Sequence, residues 1–216
     1  MEPRKFESKK RYIISIIIGT VLFLLIFAVS YSISYLELQR VSNLQVGVGY
    51  SIFEDKLQYS LFEAQICNSS SFEKVSKDLA FQGRIIDDLE QKMGKQNKDV
   101  LLRKKFYALI ELEHFEFVSD LNKKCGNGIN TILFFYSNDA SQAKESEDAG
   151  KILGIVASKN EDLIIYSFDV NLDSELITSL KEKYNVTETP SIVINEKPII
   201  LVPDNISDIE AYINQV

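Results

Sequence analysis

Two cysteines and a single histidine are all the sequence offers a soft metal or a thiol chemistry. Zinc sites draw their ligands mainly from these two residue types at short, regular spacings, and no such spacing is present. No Cys-x-x-Cys occurs either, so the chain lacks the adjacent dithiol that redox proteins use. Positive charge is also in deficit, with 24 Lys and Arg against 31 Asp and Glu. The first eleven residues hold five basic and two acidic side chains, so the remainder carries about −10 of the formal −7. That balance argues against a nucleic-acid partner and against electrostatic attachment to anionic lipid. Its plain role is to keep a folded domain soluble, and with 45% hydrophobic residues the chain can build a core.

Charge is missing altogether from residues 12–36. Ile, Leu, Val and Phe fill this stretch, which as a helix would be about 37 Å long at ~1.5 Å per residue. That exceeds the ~30 Å hydrocarbon core of a bilayer and leaves room for tilt. A lone span must satisfy every backbone N–H and C=O internally, which only a helix does. Tyr12, Tyr31 and Tyr35 suit the two interfaces. Arg4, Lys5, Lys9, Lys10 and Arg11 precede the span and only Arg40 closely follows it, so the positive-inside bias puts the amino terminus in the cytoplasm and the rest outside it. The competing reading is a cleaved secretory signal ending at Ala28-Val29-Ser30, but such signals have shorter apolar regions of about 7–15 residues. No Gly-x-x-x-Gly marks the helix for self-association, and Gly19-Thr20 gives at most a small-residue spot.

In an oxidising compartment Cys67 and Cys125 are candidates for a disulfide. Closing the intervening loop would stabilise the fold by ~4 kcal/mol in the chain-entropy picture, and the alternative is two buried thiols. Three Asn-x-Ser/Thr triplets, at Asn68, Asn185 and Asn205, are glycan acceptors only where the source has that machinery.

The pattern beyond the span divides in two. Residues 37–51 read as a juxtamembrane linker interrupted by Gly47 and Gly49. Three helical patterns follow within 52–128. The first covers about 52–67, with Leu57, Leu61, Phe62, Ala64 and Ile66 mostly on one side. The second opens on a Ser70-x-x-Glu73 capping box and carries Phe72, Val75, Leu79, Ile86, Leu89 and Met93. The third covers about 99–124, with Leu102, Phe106, Leu109, Ile110 and Leu121 as its apolar stripe. After Gly128 the periodicity changes. Short apolar runs at 131–136, 163–168, 191–194 and 198–202 fit buried strands, with helices expected at 141–158, 173–184 and 206–214. The order over 129–216 is β-α-β-α-β-β-α. The first strand pair must be parallel, and the last, joined by Asn195-Glu196-Lys197, antiparallel.

This α/β order resembles the thioredoxin-like fold, and two segments carry the resemblance more specifically. Val186-Thr187-Glu188-Thr189-Pro190-Ser191-Ile192 looks like the family segment in which a cis-proline precedes a core strand. Leu133-Phe134-Phe135-Tyr136-Ser137-Asn138-Asp139 looks like the strand that leads into the redox motif, where this chain reads Ala140-Ser141-Gln142-Ala143. Both positions that carry cysteine in redox-active relatives are alanine, and the buried acid many thioredoxins carry falls at Phe134. Alanine supplies no nucleophile, leaving group or titratable proton, so dithiol exchange at this motif is excluded.

The resemblance implies a redox-inactive binding module, with a groove lined by Ala140, Ser141, Thr189, Pro190 and Ser191 that takes an exported or membrane polypeptide and needs no cofactor. One alternative is a membrane-tethered thiol–disulfide oxidoreductase whose cysteines at 140 and 143 have been lost or replaced. Another is a structural or assembly subunit acting through the helical region. His114, among Glu111, Glu113 and Glu116, reads as an ordinary helix-surface or interface histidine, and the pairs Asp87-Asp88 and Glu111-Glu113 as solvated faces.

Overall fold

The computed structural model describes residues 4–62, 71–126, 128–197 and 205–213. The chain is mixed α/β and mostly helical: α1 (Arg4–Phe62), α2 (Ser71–Met93), α3 (Lys98–Cys125), β1 (Asn130–Tyr136), α4 (Ala143–Lys159), β2 (Leu163–Asp169), α5 (Glu175–Lys183), β3 (Ser191–Ile194) and α6 (Ile206–Ile213). It divides into two compact units, Met1–Asn43 and Leu44–Val216.

The first unit is the amino-terminal part of α1, the one helix among the described residues long and apolar enough to cross a membrane. Its side chains make no core of their own. Two of its hydroxyls are satisfied without water, since Ser15 Oγ donates to the Arg11 carbonyl at 2.9 Å and Ser32 Oγ to that of Ala28 at 2.8 Å. Back-bonding of this kind removes the cost of placing a hydroxyl in hydrocarbon.

In the second unit a small mixed sheet, ordered β2-β1-β3, forms the middle layer. β1 and β2 are parallel, with Ile132 opposite Ile165, and β3 runs antiparallel to β1, with Leu133 opposite Val193. Because successive side chains of a strand point to opposite faces, β1 feeds two cores. Leu133 and Phe135 join Tyr166, Phe168, Val193 and residues of α1, α2, α3 and α5 on one face. Ile132 and Phe134 join Ile192, Ile194, Leu153 and Val156 of α4, and Ile209 and Ile213 of α6 on the other. The expected fourth strand, 198–202, lies outside the described residues. The turn before it is present: Asn195 and Glu196 both have positive φ, 50° and 60°, the signature of a tight hairpin turn, and Lys197 N–H bonds the Ile194 carbonyl at 3.0 Å.

Three expectations are corrected. The stretch 37–51 is helical throughout, and Gly47 and Gly49 do not interrupt it. Each glycine costs roughly 1 kcal/mol relative to alanine, but Val48 between them and Ile52 just beyond are buried and their packing offsets the loss. The apolar stripe expected for α3 holds only in part: Ile110 and Leu121 are buried, but Leu102, Phe106 and Leu109 are exposed, and the buried face also takes in Val100, Lys104, Ala108, Glu111, His114, Phe115 and Val118. Hydrophobicity misled because that face is partly built of charged groups with partners elsewhere in the fold. Leu57, placed on the apolar side of the first helical pattern, is also exposed. The helix ends follow local chemistry. Asn97 caps α3 by accepting from Asp99 N–H at 2.9 Å, and Gly126, at φ 65°, closes it in the left-handed geometry that glycine tolerates. The Ser70 capping box lies outside the described residues.

Candidate functional site

The residues singled out in the sequence meet at one end of the sheet. β1 ends at Tyr136, and the loop that follows is tied down at several points. Ser137 N–H donates to Ser146 Oγ at 3.0 Å, Asn138 N–H to Asn171 Oδ1 at 2.7 Å, and Asn171 Nδ2 to Asp139 Oδ2 at 2.9 Å. The Asp139 carbonyl accepts from both Gln142 and Ala143 N–H, which starts α4. Across the gap, the peptide bond between Thr189 and Pro190 is cis. Thr189 Oγ1 donates to Gln142 Oε1 at 2.8 Å, a direct bond between the two segments named from sequence.

These residues are not equally available. Ala140 and Ser141 are exposed, and Gln142, Ala143 and Thr189 are half-buried. Pro190 and Ser191 are buried, and the Ser191 hydroxyl donates to the Glu188 carbonyl. The groove assignment of Ser191 therefore needs correction: its side chain is spent on the turn that positions Thr189. Among the described residues, neither the N–H nor the C=O of Thr189 has a backbone hydrogen-bond partner.

Beside the loop lies a cavity of about 280 Å³, lined in part by Ala143, Tyr136, Asn138, Lys104, Glu90 and Asp169. Lys104, from α3, is almost fully buried and donates to Glu90 of α2 at 2.6 Å and to Asp169 at the end of β2. Asn138 Nδ2 donates to Asp169 Oδ2 at 2.9 Å and to Glu90 Oε1 at 3.3 Å, while Lys95 Nζ donates to Asn138 Oδ1 at 2.8 Å. Burial by itself would lower the Lys104 pKa, but the Tyr136 phenol and the Asp169 and Glu90 carboxyls outweigh it and hold the ammonium well above its ordinary value. Two carboxyls, one from α2 and one from the end of β2, thus meet one buried ammonium at this end of the sheet. Sequence reasoning missed all three members of this cluster.

Two further buried polar groups correct the sequence reading. His114 is fully buried, with Nδ1 2.9 Å from the Tyr166 hydroxyl and Nε2 3.3 Å from Ser76 Oγ. Burial lowers its pKa to about 4. Glu111 is buried too, and its Oε1 accepts the Ser167 N–H of β2 at 2.8 Å. Burial raises its pKa well above the usual carboxylate range. Asp87 and Asp88 do lie exposed, as expected.

Cys125 is disulfide-bonded and packs against Phe117 and Leu121; Cys67 lies outside the described residues. Among the described residues no cluster of His, Cys, Asp and Glu is suited to a metal ion. Asn185 holds φ 53° at the end of α5, and Asn205 opens the turn into α6, while Asn68 lies outside the described residues. Compared with known proteins, the chain matches no family model, no curated sequence and no solved structure.

Proposed function

We propose that the chain is a membrane-anchored, thioredoxin-like binding module that holds an extended segment of an exported or membrane polypeptide. In this reading residues 1–11 are cytoplasmic, the apolar part of α1 spans the bilayer, and residues 129–216 face the extracytoplasmic side. The thioredoxin-like reading is supported by the sheet order β2-β1-β3, with one parallel and one antiparallel pair. It is also supported by the cis bond before Pro190 facing the loop that enters α4.

The observation that carries the function is the Thr189–Gln142 bond. It fixes the Thr189 backbone beside the exposed Ala140 and Ser141 while leaving its N–H and C=O unpaired. A peptide held there would pair as an added strand, with backbone hydrogen bonds giving affinity. Alanine at 140 and 143 removes thiol chemistry without removing that edge. One observation favours a second reading, the tethered oxidoreductase whose dithiol has been lost. Ala143 lines the cavity that also holds Lys104, Glu90 and Asp169, where buried acid–base groups would serve a thiol at 143.

The test is photocrosslinking in intact membranes with a photoreactive residue at Glu188, exposed beside Thr189, and a control at Lys159, at the end of α4. The groove reading expects discrete adducts from 188 and none from 159. Adducts of equal yield from both positions, or none from 188, would overturn it.

A further inference from the structure

The exposed apolar face of α3 has a counterpart on α1. Within residues 44–62, Gln45, Val48 and Ile52 are buried, while Val46, Tyr50, Phe53 and Leu57 are exposed. The exposed residues recur at intervals of four, three and four, the a/d spacing of a coiled-coil seam. On α3, Leu102, Phe106 and Leu109 follow the same rule.

The two stripes lie side by side. Gln45 Nε2 donates to the Arg103 carbonyl at 2.9 Å, and a Cβ at Gly49 would stand 3.8 Å from Ile110 Cδ1, so the helices touch in parallel along 45/49 and 103/110. With about 100° between successive residues, the α1 stripe is turned roughly a quarter-turn one way from that contact and the α3 stripe roughly a quarter-turn the other way. On parallel helices those opposite rotations point to the same side. The seven side chains are between 40% and 66% exposed. Together they offer roughly 700 Å² of apolar surface, taking about 150–250 Å² for each whole aromatic side chain. That exceeds the ~300–600 Å² largest patch of a typical monomer and approaches the ~800 Å² each partner contributes to a standard interface.

We propose that this patch is a self-association surface, through which α1 and α3 of one copy pack on α1 and α3 of a second in a parallel two-fold dimer. The area fits a second copy, and the seam is self-complementary. Continued by sequence, the register places Asn43 at an a position, where asparagine pairs with itself across parallel dimers and fixes their register. Gly47 and Gly49 fall at the flanking e and g positions, so no like charges oppose one another there. Only the parallel direction rests on the membrane anchoring proposed above; the patch is independent of the peptide-groove reading.

Full-length chain carrying Tyr50→Cys, and separately Ile155→Cys on the exposed side of α4, is oxidised in native membranes and resolved without reductant. The dimer expects a disulfide-linked pair of copies as the main product of Tyr50→Cys, with Ile155→Cys staying monomeric. Adding Phe106→Asp, which lies outside the apolar span, should cut that product by about tenfold, as for a charge buried at an interface centre. Leu109→Lys is the second variant, each checked for native helicity by circular dichroism. Equal cross-linking at 50 and 155, a product joined to a different protein, or a dimer unaffected by both α3 variants would overturn the proposal.

Discussion

The two faces of the sheet are built by different rules. Against α4 and α6 the core is dry, made of Ile132, Phe134, Leu153, Val156, Ile192 and Ile209. Against α2 and α3 the apolar core is interleaved with Lys104, Glu90, Asp169, Glu111 and His114, all buried. Burying such groups costs free energy that pairing recovers only in part. A helical pair held on a sheet by paired charges is fixed in position more narrowly than one held by apolar contact, because each partner must reach its own mate. The wet face is also the one that borders the loop at Ala140–Ala143, so its polar pairs set the geometry of the candidate site while the dry face supplies bulk stability.

The largest test of this contrast is Lys104→Ala. It leaves Glu90 and Asp169 facing each other without their cation, and a loss of about 3–5 kcal/mol is expected, read from denaturant unfolding in detergent. Leu153→Ala on the dry face should cost a similar ~2–5 kcal/mol through its cavity. The two differ in rescue. Glu90→Gln with Asp169→Asn should recover much of the Lys104→Ala loss, whereas no polar change recovers Leu153→Ala. If the double change gives no recovery, the triad is not the source of the cost.

Next in size is the response to acid. His114 is held neutral, with a folded pKa of about 4 against an ordinary 6.5. Its contribution is therefore complete above pH 6.5 and is lost as pH falls toward 4, by about 3 kcal/mol at ~1.4 kcal/mol per unit. Glu111 works in the opposite sense, since its raised pKa favours the fold as protons bind. Thermal melts across pH 4–7 should show a fall in stability that His114→Gln flattens. A slope unchanged in the variant would remove His114 as its cause.

These groups mark where sequence reasoning stopped. The strands β1 to β3 and the parallel pair were legible because apolar runs and turn chemistry are local signals, whereas the cis bond before Pro190 came only from the likeness of its segment to the thioredoxin-like family. The loop and Thr189 were legible as candidates, although only the fold joins Gln142 to a residue 47 positions away. Lys104 sits in an Arg-Lys-Lys run that reads as solvated, and its partners are 14 and 65 residues distant. A signal existed: 104, 108, 111 and 115 share one helical face, and a face that mixes Lys and Glu with Ala and Phe is what a paired polar interior looks like. Nothing local separates that from an exposed face until β2 is placed against it. The same blindness hid the outward turn of Leu102, Phe106 and Leu109.

The smallest expected effect isolates one bond of the wet face. Glu111 accepts the Ser167 N–H on β2, which lies at the edge of the three-stranded sheet formed by the described residues; a buried edge N–H left unpaired would be costly. Glu111→Gln keeps a carbonyl oxygen for that bond and removes the titration. At pH 7 the wild-type carboxyl must be either neutralised or buried charged, and both oppose folding, so the glutamine variant should gain about 1 kcal/mol, the scale of a single buried hydrogen-bonding group. Below the ordinary carboxylate pKa the glutamate is neutral in both states, and the gain should vanish. Glu111→Ala, which deletes the acceptor, should instead destabilise at every pH. A glutamine variant less stable than wild type at pH 7 would mean that the charge itself, and not the bond to Ser167, is what the wet face requires at this position.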